Sequence, residues 1–308
     1  MSALRILFMG TADFAVQTLE RLTREGYGPV AVVTGPDKPS GRGQQMHPTP
    51  VKRRAMAHGF PLLQPERLKD PSFADAARSY SPDVIVVVAY RILPPEVFTI
   101  ARLGALNLHA SLLPRYRGAA PINRAIMNGE TETGVTTFLL EEKVDTGNIL
   151  LQERVAIGPD EDAGSLHDRL AEIGARITVD TLGLLEQGRA LPRAQDSACA
   201  SPAPKIFKAD CRILWNNPAS SIRNQIRGLS PYPSAFTIHR DKILKITRAR
   251  IVQGTLPPGT AVVENGALLV GTADFLLSLE ELQQEGRKKM DVKDFLRGYR
   301  FTGEERFD

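Results

Sequence analysis

Two hydrophobic periods alternate along the first half of the chain. Leu4-Arg5-Ile6-Leu7-Phe8-Met9-Gly10 is a nearly continuous apolar run ended by glycine and reads as a buried strand. Ala15 to Glu25 places Val16, Leu19 and Leu22 on one face at helical spacing. Val30 to Thr34 predicts a second strand, and a Gly- and Pro-rich loop follows from Gly35 to Pro50. Val51 to His58 reads as helix, Leu62-Leu63 opens a short strand, and Phe73 to Tyr80 reads as helix again. Asp83 to Tyr90 is a β-branched strand that is apolar on both faces, as in the middle of a parallel sheet covered by helices. Alternation of this kind from residue 1 to about 150 predicts an α/β, doubly wound, Rossmann-like domain.

The pattern changes after a predicted helix over Ser165 to Gln187. Residues 190–209 carry Pro192, Pro202 and Pro204 among small residues, which is linker composition. Beyond lie short apolar segments at Phe236-Thr237-Ile238, Ile243 to Ile251, Thr260 to Val263 and Leu268 to Val270, separated by turn residues, which predict a small β-barrel. The expected partition is therefore 1–189 for the catalytic domain, 190–208 for the linker and 209–308 for the barrel. No internal repeat interrupts it.

A chain of 308 residues has room for one large core and a smaller one. Cys199 and Cys211 are too few and too far apart for a disulfide framework or a Cys-x-x-Cys motif, so a reducing compartment is expected. The apolar stretch Ile6 to Gly10 is too short for a secretory signal, and the longest apolar run, Val84 to Ala89, is far below membrane-spanning length; a cytoplasmic protein without a membrane partner is expected. The net charge of +4 is unevenly spread: residues 1–205 hold 23 basic and 23 acidic side chains, whereas residues 206–308 hold 16 and 12. Within 205–250 ten cations face only Asp210 and Asp241, which leaves two readings open, a solvated surface or a basic face for a polyanion.

The candidate chemistry centres on Asn107, His109 and Asp145. Asn107 and His109 follow the apolar stretch Leu103 to Leu106, so a strand would place them two residues apart on one face. An amide, an imidazole and a carboxylate bracketing an apolar turn suit acyl-type transfer, which needs an oxyanion donor and a proton carrier. Asp145-Thr146-Gly147 is also the triplet of aspartic proteases, but that chemistry needs a second such triplet and the chain has none. Gly10-Thr11-Ala12-Asp13-Phe14 sits where a dinucleotide site would carry three glycines; two are missing, so a structural turn is the better reading. The five histidines show no metal-ligand spacing, and no metal is expected. Asp37-Lys38-Pro39-Ser40-Gly41-Arg42-Gly43 is either a plain surface loop or one that delivers Arg42 to a phosphate or a polar macromolecule.

Taken together, these motifs resemble the methionyl-tRNA formyltransferase family. The resemblance runs through Gly10-Thr11 with Asp13-Phe14-Ala15, Asp37 to Gly43 with Pro48-Thr49-Pro50-Val51-Lys52, the run from Asn107 to Pro121, Glu132-Thr133-Gly134-Val135-Thr136, Asp145-Thr146-Gly147 and Pro231-Tyr232-Pro233. It covers nearly the whole chain, and the stretch from Ser111 to Pro121 is its most specific part. It implies a formyltransferase domain followed by an OB-like tRNA-binding barrel, 10-formyltetrahydrofolate as co-substrate, initiator methionyl-tRNA as acceptor, and a place in translation initiation with no obligate protein partner. It further implies Asn107, His109 and Asp145 as the catalytic trio, with Tyr90, Ser111, Leu112, Leu113 and Pro114 at the folate. Arg42, Lys38, Lys205, Lys208, Arg223, Arg227, Lys245 and Arg248 are the expected tRNA contacts.

Three departures from the family pattern stand out. The stretch after Tyr90, Arg91-Ile92-Leu93-Pro94, is one residue short; Lys143 replaces a glycine; and Gln44 and Gln45 replace lysines, which implies weaker loop contacts with tRNA. Alternatives are a formyltransferase acting on an amino-sugar nucleotide or glycinamide ribonucleotide, a formylfolate hydrolase, or a non-catalytic RNA-binding protein. The first three would share the trio, so only the loop and the basic barrel discriminate.

Overall fold

The computed structural model describes residues 4–40 and 45–308; Arg42 therefore lies outside the described residues. The chain divides into two compact units: Met1–Gly118, Thr133–Val155 and His167–Pro202 in the first, and Ala119–Glu132, Ala156–Leu166 and Ala203–Asp308 in the second. The stretch expected as a linker over 190–208 is thus shared between the units, with the change at 202/203.

Up to residue 186 the elements run β1 (Ile6–Gly10), α1 (Asp13–Arg24), β2 (Ala31–Val33), β3 (Lys38–Ser40), β4 (Gln45–His47), α2 (Pro50–Ala57), β5 (Leu62–Leu63), α3 (Pro71–Ser79), β6 (Val84–Val88), α4 (Pro95–Phe98), β7 (Ala105–His109), α5 (Pro121–Met127), β8 (Glu132–Leu139), β9 (Ile149–Ala156) and α6 (Ala163–Glu186). Seven of the strands form one sheet in the order β5-β2-β1-β6-β7-β8-β9. The first five are parallel, as the alternating pattern predicts. Beyond them β8 runs antiparallel to β7, so the sheet is mixed; neither β8 nor β9 stood out from the helix-strand alternation.

Every residue of β1 and β6 is buried, which follows from their unbroken apolar runs. One sheet face gathers Leu7, Met9, Ile85 and Val87 with Phe73, Val97 and Ala105. At Gly10 an added Cβ would lie 2.7 Å from the Cβ of Ala15, so the first strand turns into its helix only because that position is glycine. Glycine at this turn answers a steric requirement.

In the second unit α7 (Ala219–Leu229) precedes β10 (Ala235–His239), β11 (Lys242–Val252), β12 (Thr260–Glu264), β13 (Ala267–Gly271), β14 (Leu276–Gln284), β15 (Met290–Asp291), α8 (Val292–Gly298) and β16 (Glu305–Arg306). The strands form an antiparallel sheet in the order β10-β11-β14-β13-β12-β16. Ile238 and Asp308 exchange backbone hydrogen bonds of 3.0 Å in both directions, so the chain just beyond β16 meets β10 and closes the barrel. A bulge around Thr247 interrupts the β11–β14 register and lets the long strand bend. Trp215, Ile222, Ile226, Leu244, Ile246, Leu277, Phe295 and Phe307 fill the interior. α5 belongs to this unit: the Asn123 amide donates to the Gly228 carbonyl at 2.7 Å, and α7 approaches closely enough that a Cβ at Gly228 would lie 2.6 Å from Met127 Cγ.

A buried polar cluster ties the last residues to the barrel. His239 Nε2 donates to Glu305 at 2.6 Å, Nδ1 accepts from the Tyr299 hydroxyl at 3.1 Å, and Arg240 also binds Glu305. The neutral imidazole is fully satisfied here, and burial holds its pKa below the usual histidine value despite the pull of Glu305. A depressed histidine pKa contributes stability that is present above the unfolded value and is lost as pH falls through it. Thermal midpoints should therefore decline from neutrality toward pH 5, and His239→Gln should flatten that decline while lowering the midpoint at pH 7.5; an unchanged slope would remove His239 as its source.

Candidate active site

β7 carries the two candidate groups on one face. Its alternation turns Leu108 toward α6, where Gly174 leaves the room it needs, and Asn107 and His109 away from it. Asn107 pairs in register with Val87 of β6 and Phe138 of β8 and is half-buried; among the described residues no side-chain hydrogen bond holds its amide. His109 is only 7% exposed.

After His109 the chain folds back through residues 110–118. The imidazole Nε2 lies 2.8 Å from the carbonyl oxygen of Tyr116. A carbonyl can only accept, so Nε2 carries the proton and Nδ1 of the neutral ring is left as the basic nitrogen. That Nδ1 lies 3.8 Å from Oδ2 of Asp145. The separation is within ion-pair range but beyond hydrogen-bond range, so the ring is oriented by the Tyr116 carbonyl rather than by Asp145. Asp145 is itself buried, at 8% exposure, and its Oδ2 accepts from the backbone N–H of Gly118 at 2.8 Å.

Asp145 sits in the left-handed region with φ of +55°, a conformation that aspartate tolerates better than most residues. Two residues on, a Cβ at Gly147 would collide with the Leu139 carbonyl oxygen, so the Asp-Thr-Gly turn packs directly onto the end of β8. The structure forms the triplet as a turn.

The expected folate contacts divide. Ser111 is fully buried and donates to the Arg115 carbonyl at 2.7 Å; Leu113 packs with Phe138 and Ile149. Leu112 and Pro114 are half-buried. The buried Thr136 hydroxyl holds this segment: it donates to the Ser111 carbonyl at 2.6 Å and accepts from the Leu113 N–H at 3.2 Å and from Gln152 at 3.0 Å. Tyr90 is half-buried, its hydroxyl accepts from Arg91 at 2.9 Å, and burial pushes its pKa above the usual tyrosine value. Arg91 in turn donates to the carbonyls of Pro65 and Glu66, which leaves Ile92, 74% exposed, as the outward apolar residue of the loop.

The expected tRNA cations are not equivalent. Lys38, Lys205 and Lys208 are exposed, Lys205 with its ammonium 5.9 Å from the Phe207 ring centre. Lys245 is half-buried on β11, and the exposed Arg248 pairs with Glu280 at 3.1 Å. Arg223 and Arg227 face their own unit instead: Arg223 binds the Pro159 carbonyl at 2.8 Å and the Asp160 carboxylate, and Arg227 reaches the carbonyls of Gly158 and Glu161 at 3.3 and 3.2 Å. Burial lowers the Arg227 pKa, in keeping with a guanidinium committed to a loop. Sequence reasoning picked out the trio but gave no role to Tyr116, Thr136 and Gln152, whose contacts run largely to backbone groups that residue type does not reveal.

The formyl transferase family matches residues 4–182, and its C-terminal domain matches residues 205–300. Methionyl-tRNA formyltransferase of Caldanaerobacter subterraneus is 47% identical over 96% of this chain and 97% of its own length. The corresponding proteins of Geobacter sulfurreducens and Chlorobium chlorochromatii are 45% and 48% identical, over 97% and 98% of this chain and 95% and 98% of theirs. Among solved structures, HypX of Aquifex aeolicus in complex with tetrahydrofolic acid superposes with a TM-score of 0.66 at 19% identity, covering 99% of this chain and 51% of that one. An N-formyltransferase of Helicobacter canadensis gives 0.68 at 18% identity, over 90% and 98%.

Thr136→Val removes a hydroxyl that satisfies one buried carbonyl and one buried N–H. Leaving such groups unpaired costs about 1–3 kcal/mol. Urea denaturation of the variant should show a loss in that range; a loss below about 0.5 kcal/mol would mean that the 111–114 segment holds itself.

Proposed function

The chain belongs to the methionyl-tRNA formyltransferase family, and from that premise we propose that it moves the formyl group of 10-formyltetrahydrofolate to the α-amino group of methionyl initiator tRNA, with Asn107, His109 and Asp145 as the working groups. The observation that carries the assignment is the state of His109: its Nε2–H is spent on the Tyr116 carbonyl, and its basic Nδ1 faces the Asp145 carboxylate at 3.8 Å, on the strand face that also bears the unpartnered Asn107 amide. An amide without a protein partner suits a bound formyl oxygen.

The folate supplies the formyl carbon, and its departing nitrogen takes up a proton. An α-amine with a reference pKa of about 8 is partly neutral near pH 7, so positioning and charge stabilisation are the main demands. Asn107 donates an N–H to the oxygen as negative charge develops there. His109 takes the amine's proton at Nδ1, and Asp145 together with the Tyr116 carbonyl stabilises the imidazolium that results. The same Nδ1–H then returns the proton toward the leaving nitrogen, so the ring ends neutral.

Support for the acceptor rests on the family and on the exposed Lys38, Lys205 and Lys208. A second folate-dependent acceptor, such as an amino-sugar nucleotide, is disfavoured because relatives at 45–48% identity that are aligned over nearly their full length carry the methionyl-tRNA name.

Asn107→Ala, His109→Ala and Asp145→Ala should each lower the transfer rate at saturating substrates by about a hundredfold or more, as loss of one oxyanion donor does elsewhere. Double variants should fall short of the product of the singles, because the three act as a unit. Near-normal turnover of any one variant removes that residue from the mechanism.

Arg42, held by glycines on either side in sequence, is assigned to the acceptor. Arg42→Ala should cut the efficiency of methionyl-tRNA use about tenfold, roughly 1.4 kcal/mol, with folate affinity by isothermal titration unchanged. Normal tRNA use with weakened folate binding would move that residue to the donor site.

A further inference from the structure

Residues 191–200 are exposed with one exception, Gln195, which is drawn halfway into the first unit. Its side chain uses all its capacity. Nε2 donates to the carbonyl of Asp145 at 3.0 Å and to that of Gly147 at 2.8 Å. Oε1 accepts from Nε and Nη2 of Arg117 at 3.1 and 2.7 Å. Two donors and two lone pairs are what a glutamine owns.

We propose that Gln195 is a positioning residue for formyl transfer, acting through Asp145, and that residues 193–202 form a strap that holds the two turns carrying the proton-handling groups; the proposal rests on the roles assigned above to Asp145 and His109.

The argument begins with the backbone at Asp145. A left-handed non-glycine residue, even an aspartate, is held away from its commonest conformations and persists where its surroundings over-determine it. Gln195 supplies that determination by fixing the carbonyls on either side of Thr146, while the Gly118 N–H fixes the carboxylate. The strap reaches the other turn as well. Ser201 accepts from the Tyr116 N–H through its hydroxyl at 2.9 Å and from the Arg117 N–H through its carbonyl at 2.8 Å. Tyr116 is the residue whose carbonyl holds His109. Arg193 and Ile149 exchange backbone hydrogen bonds of 2.8 Å and anchor the strap's beginning. One segment, read from its composition as a linker, thereby sets the distance between the imidazole and the carboxylate.

The chemistry of position 195 is specific. Glutamate would keep the acceptor for Arg117 but has no N–H for the two carbonyls, whereas alanine loses both. The test is single-turnover formylation by the full-length enzyme with Gln195→Ala and Gln195→Glu, each made in the native and in the Asp145→Ala background. In the native background both substitutions should lower the rate at saturating substrates tenfold or more, with folate affinity changed less than twofold. In the Asp145→Ala background the further loss should be under twofold, because a residue acting through Asp145 has nothing left to position. Losses that multiply in full, a Gln195→Glu enzyme as fast as the native one, or losses that vanish when the assay temperature is lowered in step with each variant's melting temperature would overturn the proposal. A normal Asp145→Ala enzyme is a separate result, which overturns the parent assignment instead.

Discussion

The carbonyl oxygen of Tyr116 can accept a hydrogen bond and cannot give one, and that restriction sets the proton inventory of the site. It places hydrogen on Nε2 of His109 and leaves Nδ1 as the free base, facing the Asp145 carboxylate. Several hydrogen bonds hold the 110–118 segment that carries that carbonyl. Ser111 closes the turn on Arg115, Thr136 and Gln152 hold the segment from β8 and β9, and Ser201 holds Tyr116 and Arg117 from outside. The orientation of His109, and with it the proposed chemistry, therefore depends on a backbone atom whose residue type is nearly irrelevant to it.

Asp145 illustrates the complementary case, in which the proposed role belongs to a side chain and the backbone is constrained to present it. The left-handed φ, the absence of room for a Cβ at Gly147 and the Gly118 N–H on Oδ2 together restrict the carboxylate to one place. With both groups under 10% exposed, the charge that appears on His109 during proton transfer would be stabilised in a poorly screened setting. The 3.8 Å gap is beyond hydrogen-bond reach and just inside ion-pair range, so the carboxylate interacts with the ring through charge rather than through a fixed hydrogen bond.

Much of this was legible in the residues. The β-branched run of β6 and the helical spacing of α1 made the parallel half of the sheet readable, and the spacing of Asn107 and His109 correctly placed both on a strand. β8 escaped because ETGVTTFL mixes threonine with apolar residues and shows no clean alternation. α7 carried a readable signal, Ile222, Ile226 and Leu229 at helical spacing, beneath a polar surface that reads as loop. Charge counting found the cations between 205 and 250 but not their direction: Arg223 and Arg227 point into their own unit because carbonyl groups far away in sequence await them. Gln195 was invisible for the same reason, since its three partner residues lie 48 to 78 residues away.

The make-up of the second unit bears on how the chain acquires its fold. It is assembled from three separated stretches, 119–132, 156–166 and 203–308. During synthesis the helix Pro121–Met127, whose Met127 packs against the second unit's core beside Gly228, leaves the ribosome long before α7 exists to cover it. At typical elongation of about 5–20 residues per second the interval is on the order of 5 to 20 seconds, far longer than the microseconds in which a helix forms and collapses. Met127 is thus a point of exposed apolar surface written into the order of the sequence, and a binding opportunity for any holdase that meets the nascent chain.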